Sequence, residues 1–433
     1  MSDQAGRGRL LFSGGAVVGV QALLSEAGFG LDDGALVNAA RDLGRAMREG
    51  LGREGAGVAM IPAYVPPGCP GTAGEVVVVD AGGTHVRAAR VRVQPDGRAQ
   101  VLAVRRGALP GTGGEPIERE AFFDALAGLV AELPEQGGPV GFCFSYPARI
   151  LPSGDGVLLR WTKEVRAPAV VGTRVGEGLV QAMQRRGLET GSAVVLNDTV
   201  AAAAAGSLSG SGPATLGLVV GTGTNMAYFE QSVRIEKLSA DQASAHRFQA
   251  INMESGNFDA APRTRFDEAL DAGSADPGSQ RFEKMVSGRY LGKLAGAVLA
   301  ELGLVADPPQ AASLEAGQVA AFLDGQREAA GWLAGAGEPD IVRAVLEAVR
   351  DRAADLVAAG LLAVVAHAEP PGGRMTVVAE GTLFWQMPGF AGRVSASLDR
   401  LLAAVLPGQR AELVRIEHAN LVGAAAAALS MRG

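Results

Sequence analysis

The chain has 433 residues, 48% hydrophobic and 20% charged, with a formal net charge of −7. That length predicts two domains rather than one core, and an acidic chain without a Lys/Arg block is not expected to bind nucleic acid. Two cysteines, Cys69 and Cys143, give neither a disulfide framework nor metal-ligand spacing, so a reducing cytoplasm is the expected location.

The opening RGRLLFSGGAVVGVQALL is basic and then apolar. Glycine and serine interrupt it and no small-residue cleavage site follows, so no export leader is expected. No later run approaches the ~20 apolar residues of a membrane span, which predicts a soluble protein with no membrane partner. Asp32 and Asp33 predict caps for a helix whose apolar face carries Leu36, Val37, Ala40, Leu43, Met47 and Leu51. The Pro/Gly-rich IPAYVPPGCPGTAG then reads as a linker into a first sheet. Strands are predicted over 76–93, near 101–105 and over 140–145, with a helix at 118–133 stopped by Pro134.

The first strand pair carries the clearest signal. In EVVVVDAGGTHVRAARVRV (75–93) a β-branched run stops at a glycine turn and doubles back as a strand. LGLVVGTGTNMAYFE (216–230) repeats the device. Bare backbone N–H groups at such turns can face an anion, and two of them suggest loops closing on one polyphosphate. Between them, SAVVLNDTVAAAAAG predicts a strand delivering Asn197 and Asp198 to its carboxyl end, followed by a small-residue helix. Helices are predicted over 281–302 and 340–367, strands at 375–379 and near 413–416, and a closing Gly/Ala helix. Strand-rich openings followed by helices in both halves imply a duplicated α/β architecture.

Asp198 has two readings. At a strand's carboxyl end it can accept a hydroxyl proton during phosphoryl transfer, and next to an alanine-rich helix it can serve as the N-cap. Asp80, before Gly82, Gly83 and Thr84, is read as an anchor for hydrated Mg²⁺ beside phosphates. Neither turn is a dinucleotide fingerprint, since each returns as a strand, and the nearest approach to a Walker A motif, GRYLGK at 288–293, is one residue short. A polyhydroxylated substrate needs paired donors and acceptors. Candidates are Ser145, Thr162 with Lys163, Asn197, Asn225, Asn252 with Glu254, and Gln280 with Glu283. No local rule gathers them. Scattered histidines and the lack of a G-x-S-x-G elbow argue against metal-dependent and serine hydrolysis.

At these residues the chain resembles the hexokinase family, within the sugar kinase, actin and Hsp70 fold group. The likeness runs from about 60 to 390 through DAGGTHVR, GFCFSYP, LLRWTK, LNDTVA, VGTGTNMAYFE, INMESGNFD, SQRFEKMVSGRYLG and AEGTLFWQMPGF, in the family's order. The resemblance implies a two-lobed actin-like (ribonuclease H-like) α/β fold. A helical extension would occupy 1–59, a small domain 60–196 and a large domain 197–433, with the C-terminal helix packing back on the small domain. It implies ATP-dependent phosphorylation of a hexose, glucose first, at the 6-hydroxyl, in carbohydrate metabolism and glycolysis, with ATP and Mg²⁺ required.

Carried over by position, Asp198 becomes the general base and Lys163 a second catalytic group. Ser145, Thr162, Lys163, Asn197, Asp198, Asn225, Glu254, Gln280 and Glu283 would hold the sugar. Asp80, Gly82, Gly83, Thr84, His85, Thr222, Gly223, Gly381 and Thr382 would face the nucleotide, with Asp80 reaching the metal through water. The chain departs from the family pattern at His85, Tyr146, Ser255 and Glu380, and reads His418-Ala419-Asn420-Leu421 where the family has Asp-Gly-Ser-Gly. Those departures leave two rivals: a hexose-sensing protein without catalysis, and a hexokinase using another phosphoryl donor. A polymerising or chaperone-type ATPase is a third, disfavoured by the sugar-side motifs. Oligomeric state is not legible.

Overall fold

The computed structural model describes residues 16–431 except 69–71, 136, 163–164 and 306. The start of the basic–apolar opening, Cys69 and Lys163 lie outside the described residues. The strands are β1 (Ile61–Pro62), β2 (Gly74–Gly82), β3 (His85–Val93), β4 (Ala99–Ala108), β5 (Gly138–Phe144), β6 (Ala148–Ile150), β7 (Gly156–Leu158), β8 (Thr190–Leu196), β9 (Thr215–Val220), β10 (Thr224–Gln231), β11 (Phe248–Asn252), β12 (Arg374–Glu380) and β13 (Arg410–Val414).

Two mixed sheets share one plan. The first is five-stranded in the order β4-β3-β2-β5-β8; the second is six-stranded, β1-β11-β10-β9-β12-β13. In each half, three consecutive strands form an antiparallel meander, and two later strands join parallel to its first member. The same order written twice is the duplication expected of a two-lobed actin-like fold. Val76–Val79, at the centre of the first sheet, are all fully buried, as a strand covered on both faces requires.

Helices Arg119–Ala131 and Val175–Arg185 cover one face of the first sheet, and the closing helix Ala419–Ser430 lies on the other against β2, β3, β5 and β8. Helix Asp198–Gly206 covers the corresponding face of the second sheet. These two small-residue helices meet, so one apolar cluster bridges the sheets. An alanine-rich surface permits that approach: a Cβ on Gly423 would lie 1.8 Å from the Ala201 carbonyl oxygen, and one on Gly141 2.3 Å from that of Ala424.

The opposite face of the second sheet is buried under the long helix Pro339–Ala368, against which Ala16–Glu26 and Asp33–Gly52 pack. Helices Ala16–Glu26 and Asp33–Gly52 are therefore built into that core. The capping prediction holds at Asp32, whose carboxylate accepts the Ala35 N–H at 2.7 Å.

Two predicted elements differ. The first part of the stretch read as a linker joins the second sheet: β1 pairs with β11, and Ala63 and Val65 continue the pairing through Ala250. The helix predicted over 281–302 is two, Arg281–Val286 and Gly288–Glu301, broken where Ser287 is extended (φ −92°, ψ 158°). The break lets the Gly288 N–H donate to the Gly221 carbonyl at 2.7 Å, which docks the second helix on the second glycine turn. Hydrophobic periodicity carries through one distorted residue and cannot see it.

Candidate active site

The first half of the site stands at the carboxyl ends of the parallel strands β2, β5 and β8. Asp80 pairs in register with Cys143, and Cys143 with Leu196, so Asp80 and the residues after Leu196 come to the same end of the sheet with Cys143 between them. Beyond Asp80, Gly83 and Thr84 form a two-residue turn, with Gly82 opposite His85. Gly83 takes φ +70°, and a Cβ there would meet open space, so the turn presents bare backbone outward. Tyr146, at a departure from the family pattern, donates its hydroxyl to the Gly83 carbonyl at 2.6 Å. The Ser145 N–H donates to Ala81, which sets its hydroxyl beside Gly82.

Asp80 has a partner that motif reading missed. Arg87 Nε donates to its carboxylate at 3.0 Å, and a second guanidinium nitrogen also reaches it. The signal was available. Counting outward from a two-residue turn at 83–84 sets Asp80 directly opposite Arg87, and opposite charges at facing positions attract. Cys143 was also missed. Burial, then the charges of Asp80 and Asp198, push its thiol pKa well up, so a protonated thiol stands between the two aspartates.

Asp198 is the first residue of its helix, and the cap is its neighbour. Asn197 Oδ1 accepts the Val200 N–H at 2.9 Å, which corrects the reading of Asp198 as the N-cap. Asp198 Oδ1 accepts from Thr199 N at 2.8 Å and Thr199 Oγ1 at 3.2 Å, which fixes the carboxylate plane. Thr162 follows Trp161, whose indole packs on Tyr146 and donates to the Ala167 carbonyl at 2.7 Å. Lys163 lies outside the described residues.

The second half supplies a connected polar chain. Asn225 Nδ2 donates to Asn252 Oδ1 at 2.7 Å, and Asn252 Nδ2 donates to Glu254 Oε1 at 2.8 Å. Asn225 Oδ1 accepts from Met226 N and Ser255 N. Glu283 Oε2 accepts the Thr224 N–H at 3.1 Å and lies where a Cβ on Gly223 would intrude, 2.5 Å away. Gln280, in the left-handed region at φ 51°, sets its Oε1 against Gly256. Across the second turn, Gly221 packs on Gly381 and Thr382.

Electrostatics tie the halves together. Burial raises the Glu254 pKa; its bond from Asn252 opposes this, the Asp198 charge adds to it, and Arg160 of the first half opposes it. Burial raises that of Glu283 too, against its Thr224 bond. Glu380 is raised by burial and by Asp198, and lowered by Arg415 and by Arg87 from the other half. Charge couplings thus link Asp80 and Asp198 through Cys143, Asp198 with Glu254 and Glu380, and Glu254 with Glu283, while Arg87, Arg160 and Arg415 act on the same carboxyls. His85 and Thr84 are exposed at the turn, with a 3.0 Å contact between their side chains.

Two family models, both described as Hexokinase, match residues 23–208 and 215–430. Hexokinase-1 of Oryza sativa subsp. japonica is 38% identical over 274 residues, covering 59% of this chain and 54% of that protein. Hexokinase-2 of Rattus norvegicus is 30% identical over 439 residues, covering 91% of this chain and 46% of the relative. The chain spans about half the length of the curated relatives it matches. A crystal structure of hexokinase superposes with TM-score 0.82 at 25% identity, covering 96% of this chain and 99% of that one. The hexokinase from Schistosoma mansoni complexed with glucose gives 0.76 at 26%, covering 97% and 100%. Two glycine turns and a coupled set of carboxyls, on a duplicated fold matched in both halves by the family's own models, lead to one conclusion: the chain belongs to the hexokinase family.

Proposed function

We propose that this protein transfers the terminal phosphoryl group of Mg-ATP to the 6-hydroxyl of an aldohexose, glucose first, with Asp198 as general base. The observation that carries the reading is the charge coupling of Asp198, which follows β8 of the first sheet, to Glu254 at the end of the Asn225–Asn252–Glu254 chain of the second sheet. A hexose offers several hydroxyls, each needing a partner once water is excluded. Ser145, Thr162, Asn197, Asn225, Glu254, Gln280 and Glu283 would supply them, and Lys163 would add positive charge near the transferring group. Asp198, oriented by Thr199, would take the proton as the hydroxyl attacks in line.

The two glycine turns, with Thr84, His85, Thr222, Gly381 and Thr382, would hold the nucleotide. Among the described residues no three His, Cys, Asp or Glu side chains are grouped to bind a metal ion. A metal held by phosphates and water, with Asp80 in its outer shell, suits that donor set. Mg²⁺ so bound neutralises phosphate charge, which the gathered carboxylates would otherwise repel. We assign residues 60–196 to the small lobe and 197–433 to the large one, with the closing helix packed back on the small lobe, the two closing on the sugar and excluding water. No helix of the described residues is long and apolar enough to cross a membrane, and a cytoplasmic site of action is part of the proposal.

One observation favours a second reading, with another phosphoryl donor or none. His418, at φ 56°, precedes the closing helix without a side-chain capping bond, and Ala419 and Leu421 are buried where the family pattern has a polar glycine stretch. Release of nucleoside diphosphate from Mg-ATP, with and without glucose, separates the two. Release that depends on glucose is the expected result. No release, with glucose still raising the melting temperature, would sink the kinase reading and favour a sensor or a different donor.

A pH effect follows from the raised carboxyls. Glu254 and Glu283 sit above the ordinary 4.5. In the ligand-free protein these groups contribute stability at low pH that is lost as pH rises through their raised pKa values. Hydroxyls donating to the carboxylates favour the charged forms, so hexose binding should act in the opposite direction. Titration calorimetry is expected to show glucose affinity falling with acidification while pH is still above 4.5, with proton release on binding. Affinity flat down to that value would contradict the assignment of both glutamates.

A further inference from the structure

We propose that Lys284 is a positioning residue for hexose binding, tying the exposed loop 273–279 so that Gln280 and Glu283 are held ready for the sugar; this rests on the function proposed above. Lys284 is 2% exposed, a placement lysine adopts only when its charge is paired. All of its donor capacity is turned on the loop and its base. Nζ donates to Asp271 Oδ1 at 2.7 Å, Ser274 Oγ at 2.9 Å and the Asp276 carbonyl at 2.8 Å, with the Asp276 carboxylate at 3.2 Å.

Asp271 is the other half of the tie. Its two oxygens accept the Gly278 N–H at 3.1 and 3.0 Å, and Oδ2 accepts from Arg281 Nε at 3.3 Å. Arg281 in turn donates to Asp259 at 2.7 Å. Carboxylate and ammonium therefore clamp the loop at its start and at its end.

Apolar packing gives the loop little. Ala272, Gly273, Ala275, Asp276, Pro277, Gly278 and Ser279 are exposed, and a surface cavity lies beside Asp271, Pro277 and Gly278. Yet the loop must deliver Gln280 in the left-handed region, φ 51°, a conformation that a non-glycine residue keeps only when its surroundings impose it. Lys284 and Glu283 are successive residues of one helical turn, pointing about 100° apart. The same turn thus places Glu283 toward Thr224 in the cleft and Lys284 back into the loop.

The test compares Lys284→Met, Lys284→Arg and Asp271→Asn in the full chain, by steady-state kinetics and by amide exchange of 273–287 without ligand. Lys284→Met and Asp271→Asn are expected to raise the glucose KM at least about 10-fold, with kcat within about 3-fold and the nucleotide KM unchanged. Exchange in 273–280 should quicken about 10-fold while β9 and β10 keep their protection, and Lys284→Arg should recover part of both effects. A folded variant with unchanged glucose KM, or unchanged exchange in the loop, overturns the proposal. Should Lys284→Met not fold, Asp271→Asn decides, since it leaves the ammonium its other partners. If the wild-type protein phosphorylates no hexose, the function proposed above fails and the tie is judged by exchange alone: faster exchange supports it, unchanged exchange overturns it.

Discussion

Replacing Asp198 with alanine is expected to lower kcat about 1,000-fold while glucose still binds within a few-fold of the wild-type affinity. Positioned general bases contribute 10²–10⁴-fold, and here no other group is proposed to take the proton. The fold should survive, because the helix cap is Asn197, whose bond to Val200 does not involve the Asp198 side chain. A second readout follows from charge. The Asp198 carboxylate raises the pKa of Glu254, so its removal should shift the acid limb of glucose binding to lower pH. Steady-state kinetics and calorimetry across pH measure both. A variant with near-wild-type turnover would remove Asp198 from the chemistry, and an unfolded one would make its role structural.

The second large effect is on stability. Gly423→Ala is expected to destabilise the protein by about 3 kcal/mol, at the upper end of what overpacking a filled core costs. The new Cβ would stand 1.8 Å from the Ala201 carbonyl oxygen, and a backbone atom cannot swing aside as a side-chain tip can. The two helices would have to separate, opening the cluster that joins the sheets. A control at Gly392, where an added Cβ meets nothing within 4 Å, should change stability little. Thermal unfolding of both variants tests the contrast, and an unchanged melting temperature for Gly423→Ala would show that the crossing is looser than described. The same variant should also disturb catalysis, since Ala201 follows Asp198 by one helical turn.

The sequence was most readable where chemistry is local. Val76–Val79 ending in Asp80 and a glycine turn announced a strand and its return, because β-branched residues and a positive-φ glycine leave the backbone few choices. The capping carboxylate of Asp32 could be read for the same reason. Ambiguity began where two neighbouring residues can do one job. Asn197 and Asp198 both suit a helix start, and only the path of the chain out of β8 decided that the amide caps and the acid, first residue of the helix, accepts from Thr199.

Strand-turn-strand patterns sufficed for the duplicated α/β architecture, and the ordered motifs for the resemblance to the family, because both are properties of the chain itself. The pairing of Asp80 with Arg87 lay halfway, since the turn length implies it but only counting the hairpin register exposes it. What the tertiary structure alone decided is how distant segments meet. Asn225, Asn252 and Glu254 become one hydrogen-bonded chain, Ser287 breaks a helix to dock it on Gly221, and Lys284 turns from the side of Glu283 onto the loop at 273–279. Those contacts join residues from different elements, and hydrophobic periodicity records which face is buried without recording what buries it.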